Sequence, residues 1–158
     1  MAATTSLALT KADLEPLGQS PIHLDALVAE ENGAFVFEKH VTMDDPGVRE
    51  QRTTPAWPHH LPGELVIGLT GQAGTIALRR AGLIGEGWRG HGVRIRDARF
   101  SKSVLVGETV FVRAEIVRSR RLGRSIHVSF RFRMWKREDG ADVETYRSEQ
   151  DAIFFPGE

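Results

Sequence analysis

The chain has no cysteine. That excludes disulfides, a thiolate nucleophile and cysteine-ligated zinc or iron-sulfur centres, and nothing requires an oxidising compartment. No apolar run approaches the length that spans a bilayer, and Met1–Leu7 lacks the basic start and long apolar stretch of a secretion signal. A soluble cytoplasmic protein, with no membrane partner, is the expectation. Charge of one sign is missing as well: 21 Lys and Arg balance 21 Asp and Glu, so the overall field offers nucleic acid no attraction. Repeats, low-complexity tracts, a Gly-x-Ser-x-Gly elbow, a phosphate loop and a dinucleotide fingerprint are all absent. Arg118, Arg120, Arg121 and Arg124 do crowd one segment. They read as a solvated hairpin tip, with a docking patch for an acidic carrier protein or a coenzyme A phosphate as the sharper alternative.

What is present fits one domain over residues 1–158. Asp13, Leu14 and Leu17 suggest a short helix, followed by an extended stretch from Pro21 to Val28. Glu31-Asn32-Gly33 turns into a strand over Ala34–Met43. Residues 44–61 carry Pro46, Pro55 and Pro58 and predict an irregular loop, since proline fixes φ and removes a donor. From Glu64 to Leu83 apolar residues recur at helical spacing behind Pro62-Gly63, which predicts a long central helix.

Beyond Gly85-Glu86-Gly87 the period changes to two. Val110, Val112, Ala114 and Ile116, then Ile126, Val128, Phe130 and Phe132, make a hairpin across Leu122-Gly123. Strands Gly92–Ser101 and Val143–Phe155 complete an antiparallel meander whose apolar face the one long helix must cover. Inside that helix stand Gly68, Gly71 and Gly74, each costing about 1 kcal/mol relative to alanine. Something therefore comes close to the helix backbone: the wrapping sheet, a ligand channel or a second subunit's helix.

Several segments in order resemble the β-hydroxyacyl-acyl-carrier-protein dehydratases of fatty-acid synthesis. Pro21-Ile22-His23-Leu24-Asp25 is similar to that family's first strand, and Lys39-His40-Val41-Thr42 to its lysine-x-valine-threonine strand. Pro62-Gly63-Glu64-Leu65-Val66-Ile67 with Gly71-Gln72-Ala73-Gly74 resembles its helix, and Asp97-Ala98-Arg99-Phe100 with Val106-Gly107-Glu108-Thr109 its strand and turn. The resemblance implies an α+β hot-dog fold, a long central helix wrapped by a curved antiparallel β-sheet. It also implies a homodimer, or a larger oligomer of dimers, that binds an acyl thioester of carrier protein or coenzyme A and needs no cofactor and no metal.

In that family a histidine removes the α proton, an acid on the partner's helix handles the leaving hydroxyl, and a helix-start glycine amide binds the thioester carbonyl. Gly63 matches the glycine, whereas the histidine and acid registers fall on Thr54 and Gly68. Replacement catalytic candidates are His60 as general base, with His59 beside it, and Glu64 as the nearest acid. Gln72, Thr70 and His91 join Gly63 as candidate substrate-binding residues, with structural roles as the alternative for each. The expected activity is dehydration of a 3-hydroxyacyl thioester in fatty-acid or polyketide metabolism. A hot-dog thioesterase or a non-catalytic acyl-thioester-binding protein are the alternatives.

Overall fold

Helical periodicity at residues 64–83 and strand alternation after it produce the two layers of the fold. The computed structural model describes residues 8–18 and 21–157. Met1–Leu7, where a secretion signal would begin, lies outside them. In chain order the elements are β1 (Leu9–Thr10), α1 (Lys11–Leu14), β2 (Ala26–Glu31), β3 (Ala34–His40), α2 (Gly63–Arg80), β4 (Arg89–Phe100), β5 (Thr109–Leu122), β6 (Ser125–Glu138) and β7 (Ala141–Phe155). All seven strands form one antiparallel sheet in the order β1-β2-β3-β5-β6-β7-β4.

The long helix begins one residue earlier than the sequence suggests and ends at Arg80, with Gly82 at φ +72° unwinding the chain before Leu83. Strand β3 stops at His40 because the next residues turn through Asp45. Residues 44–61 form the expected loop without a helix or ladder strand. The stretch after Pro21 becomes the paired strand β2 only from Ala26, and β4 starts earlier than expected, at Arg89.

One face of α2 (Leu65, Leu69, Ala73, Ile76, Ala77) is buried against the sheet. It meets Phe37 of β3, Val112 and Ala114 of β5, and Phe130, Phe132 and Met134 of β6 in one apolar cluster. The three helix glycines divide. A Cβ on Gly74 would lie 3.1 Å from Phe130 and 3.2 Å from Phe132, so here the sheet presses on the helix backbone. Gly68 and Gly71 have nothing within 4 Å of that position and face open space.

Two buried lysines rivet the loops that flank the helix start. Lys39 Nζ donates to Asp45 at 2.6 Å, and the second oxygen of Asp45 accepts the Thr42 amide, closing the turn after β3. Lys136 on β6 donates to Glu108 at 2.8 Å and to the Ser103 carbonyl at 2.9 Å, while Glu108 accepts the Leu105 amide. Burial works against the Lys136 charge, but hydrogen bonds to Glu108 and Glu138 outweigh it and hold its pKa above the usual lysine value. Among the described residues no helix is long and apolar enough to cross a membrane.

Candidate functional site

The helix start is held from two sides. An isolated bridge joins His60 to Leu105: the Leu61 amide donates to the Val104 carbonyl at 2.8 Å and the Val106 amide to the His59 carbonyl. From the loop, Gln51 clamps the His60 backbone in both directions, its Oε1 accepting the His60 amide and its Nε2 donating to the His60 carbonyl. Pro62 then caps α2 with extended backbone angles and contributes no side-chain acceptor to the amides of the first turn. A helix beginning this way presents N–H groups and partial positive charge.

Those amides border a cavity of about 450 Å³. Gly63, Val66 and Leu61 form the wall on the helix side, Phe100, Thr145 and Tyr146 the wall on the sheet side, and Trp57, Lys102 and Ser103 also line it. Phe100 spans the gap. Its ring edge is 3.5 Å from the position of a Gly63 Cβ, and its centroid is 4.9 Å from the Tyr146 ring. Phe100 is more than half exposed, so it covers the cavity from outside.

His60 is half-buried and does not itself line this cavity; its ring meets the lining residue Trp57 edge-on, with centroids 5.3 Å apart. Its Nδ1 lies 2.9 Å from the Pro58 carbonyl. A carbonyl oxygen only accepts, so Nδ1 is the donor here and Nε2 is the nitrogen left to act as a base. His59 is fixed in the same way by the Val48 carbonyl at 2.8 Å. Glu64 stands exposed in the first helical turn.

The other candidates gather elsewhere. Thr70, Gln72 and His91 line a second cavity of about 360 Å³ together with Gly68, Gly71, His23 and Gln150. Most of their polar capacity is taken up within the fold. Gln72 accepts the His23 amide and donates to the Pro21 carbonyl, pinning the segment before β2 onto the helix. Thr70 donates to the Ile67 carbonyl and accepts from Gln150, which also donates to Ser148. His91 is exposed on the edge strand and stacks on Phe155. Burial first, and then the Lys39 ammonium, lower the pKa of His23, with Asp45 opposing. At position 68, where the resemblance implies an acid, the helix offers this cavity only a glycine.

The sequence candidates thus fall into two groups, the helix start with His59, His60, Gly63 and Glu64, and the mid-helix cavity with Thr70, Gln72 and His91. Sequence reasoning missed Phe100, Thr145 and Tyr146, whose strand context reads as core packing. Among the described residues no cluster of three His, Cys, Asp or Glu is placed to hold a metal ion.

No family model matches the chain, and no curated protein does. Solved structures do resemble it. A Thermus thermophilus hypothetical protein, a thioesterase superfamily member, is 22% identical over 80% of this chain and 84% of its own, with a TM-score of 0.57. A thioesterase of Haemophilus influenzae is 17% identical over 84% of this chain and 78% of its own, with a TM-score of 0.55. The dehydratase heterocomplex ApeI:P of Xenorhabdus doucetiae is 16% identical over 92% of this chain and 91% of its own, with a TM-score of 0.62. At these identities the likeness establishes a shared fold, the α+β hot-dog arrangement of one long helix on an antiparallel sheet.

Proposed function

We propose that this chain hydrolyses acyl thioesters of coenzyme A or carrier protein at the cavity where α2 begins. The thioester carbonyl binds at the Gly63 amide, where free helix-start donors stabilise the oxyanion that forms during attack. His60 Nε2 takes a proton from the attacking water, and Glu64 steadies the imidazolium that results. The thiolate then leaves as the tetrahedral intermediate collapses, and the histidine returns the proton to it.

The observation that favours hydrolysis over elimination is Gly68. Expelling the hydroxyl of a 3-hydroxyacyl thioester calls for an acid facing the substrate, and among the described residues no carboxylate lines either cavity beside α2. Hydrolysis needs only a base, a water and an oxyanion site. The thioesterases among the similar folds fit this reading. Dehydration is the second reading, favoured by the segment-by-segment resemblance and by the extent of the likeness to the dehydratase heterocomplex.

The homodimer belongs to the same proposal. β4 pairs with β7 on one side only, runs twelve residues at the sheet edge, and exposes Val93 and Ile95. A long unprotected edge with apolar side chains invites pairing with a second copy; light scattering on the purified protein is expected to give twice the chain mass.

A panel of acyl-coenzyme A and acyl-carrier-protein substrates, saturated and 3-hydroxylated, separates the two reactions when thiol release and enoyl absorbance are followed together. Thiol release that His60→Ala abolishes is expected. Enoyl formation without thiol release would replace hydrolysis by dehydration, and neither signal would refute catalysis.

A further inference from the structure

The far end of the β5–β6 hairpin carries charge that its surroundings do not balance. No acidic residue occurs between Glu115 and Glu138, while eight Lys or Arg fall there, in a chain whose charges cancel overall. Strand β3 pairs with β5 only as far as Ala34 opposite Glu115, and the last bond across runs from the Ile116 amide to the Gly33 carbonyl. Residues 117–122 therefore continue past the end of β3 with no strand on that side among the described residues, then turn through Gly123 and Arg124 into β6.

The four arginines of this end point in different directions. Arg118 and Arg120 stand opposite Ser129 and His127 on the solvent face of the sheet. Arg121 is opposite the buried Ile126 and lies over the Trp88 ring on the other face, and Arg124 is at the turn. All four are exposed. The salt bridges of the solvent face fall on Arg94, Arg96, Arg113, Arg131 and Arg133 instead, and among the described residues none of these four has an acidic partner. Apolar side chains are exposed among them: Val117 by 50%, Leu122 by 41% and, at the neighbouring end of β7, Phe155 by 42%. Protection of an open strand against pairing accounts for charge along its edge, but it does not call for apolar side chains left out beside that charge.

We infer that the end of the β5–β6 hairpin is a docking surface for an anionic phospholipid bilayer, with Arg118, Arg120, Arg121 and Arg124 holding headgroup phosphates and Leu122 entering the boundary beneath them. The inference is independent of the acyl-thioester reading. A partner protein laid on one face of the sheet would engage Arg118 and Arg120 and leave Arg121 on the other side. A bilayer met end-on surrounds the tip, so arginines on both faces and at the turn reach phosphates together. All four are arginine, whose planar fork matches a phosphate in a way the lysine point charge does not. Apolar side chains beside cationic ones are the combination that rests at the headgroup boundary, where each finds its own medium. The lack of a helix long and apolar enough to cross a membrane among the described residues bears on spanning a bilayer, not on contact at its surface.

The test is cosedimentation with phosphatidylcholine vesicles, with and without phosphatidylglycerol, at low and high salt. The full chain is compared with Arg118→Gln/Arg120→Gln, with Leu122→Ser and, as a charge-matched control on the same sheet, with Arg137→Gln/Arg147→Gln, each shown folded by its melting curve. Wild type is expected to bind the phosphatidylglycerol vesicles, to leave them at high salt, and not to bind phosphatidylcholine alone. Arg118→Gln/Arg120→Gln is expected to weaken partitioning about tenfold or more and Leu122→Ser about threefold or more, while the control stays within about twofold of wild type. Failure to bind the anionic vesicles would overturn the inference, including the case in which polyglutamate or a single-stranded oligonucleotide binds instead and assigns the arginines to a protein or a nucleic acid. It also fails if the control weakens binding as much as Arg118→Gln/Arg120→Gln, or if Leu122→Ser binds like wild type.

Discussion

Replacing each of the three α2 glycines by alanine, one at a time, separates the parts the structure gives them. Alanine gains about 0.5–1 kcal/mol over glycine in a helix interior by restricting the unfolded chain and favouring helical angles. At Gly68 and Gly71 the new methyl meets nothing within 4 Å, so that gain is retained. At about 1 kcal/mol, the melting temperature of a chain this size rises by about 2–4 °C.

At Gly74 the methyl would sit 3.1 Å from the Phe130 ring and 3.2 Å from the Phe132 ring, inside the usual carbon–carbon separation of about 3.5–4.0 Å. Those rings are buried and stacked on each other at 5.2 Å, so neither swings away. Overpacking of this kind costs about 1–3 kcal/mol, which outweighs the helical gain and leaves Gly74→Ala less stable by up to about 2 kcal/mol. Differential scanning calorimetry and urea midpoints measure all three variants. A rise for Gly74→Ala comparable to the others, or a fall for Gly68→Ala and Gly71→Ala, would refute this division between a packed and an open helix face.

Lys39→Met strands the Asp45 carboxylate in a buried site and is expected to lower stability by about 3 kcal/mol or more, read from urea denaturation. Gln51→Ala removes both bonds that hold the His60 backbone; thiol-release assays are expected to show turnover falling about tenfold or more with a smaller change in KM, and Gln51→Glu, which keeps only the acceptor, not restoring it. His23 has a folded pKa below its ordinary 6.5, so the unfolded chain takes up its proton first. Its contribution is complete above that value and lost as pH falls below it; the stability difference between about pH 7.5 and about pH 5.5 is expected to shrink in His23→Gln.

The parts of the fold legible in the sequence are those where one period governs a long segment. Helix α2 and the β5–β6 hairpin follow from apolar spacing because a single face of each packs on the core. Strand β2 reads only as an extended stretch, since Ala29, Glu30 and Glu31 are all exposed and give no alternation. Strand β4 is legible with its start misplaced: two register shifts interrupt it, and as an edge strand it exposes Val93 and Ile95 where alternation expects burial.

At the site, Gly63 and His60 are readable because a helix start has a local signature. Nothing local marks Gln72 as the clamp on Pro21 and His23, a contact between segments far apart in the chain, or Thr145 and Tyr146 as cavity wall. Their placement depends on a bulge opposite Met134 and Trp135, and a period-two pattern does not register a bulge. The glycine triad carries two meanings at once: Gly74 answers to the sheet, while Gly68 and Gly71 open on a cavity.

The two cavities along α2 make the location of the thioester the most direct question. With uniformly nitrogen-15-labelled protein, amide spectra are recorded before and after adding a non-hydrolysable acyl-coenzyme A analogue. Shifts concentrated at Gly63, Glu64 and the facing Phe100 and Tyr146 amides are the expected result. Shifts confined to Gly68, Gly71 and His91, with the helix start unmoved, would contradict binding at the Gly63 amide.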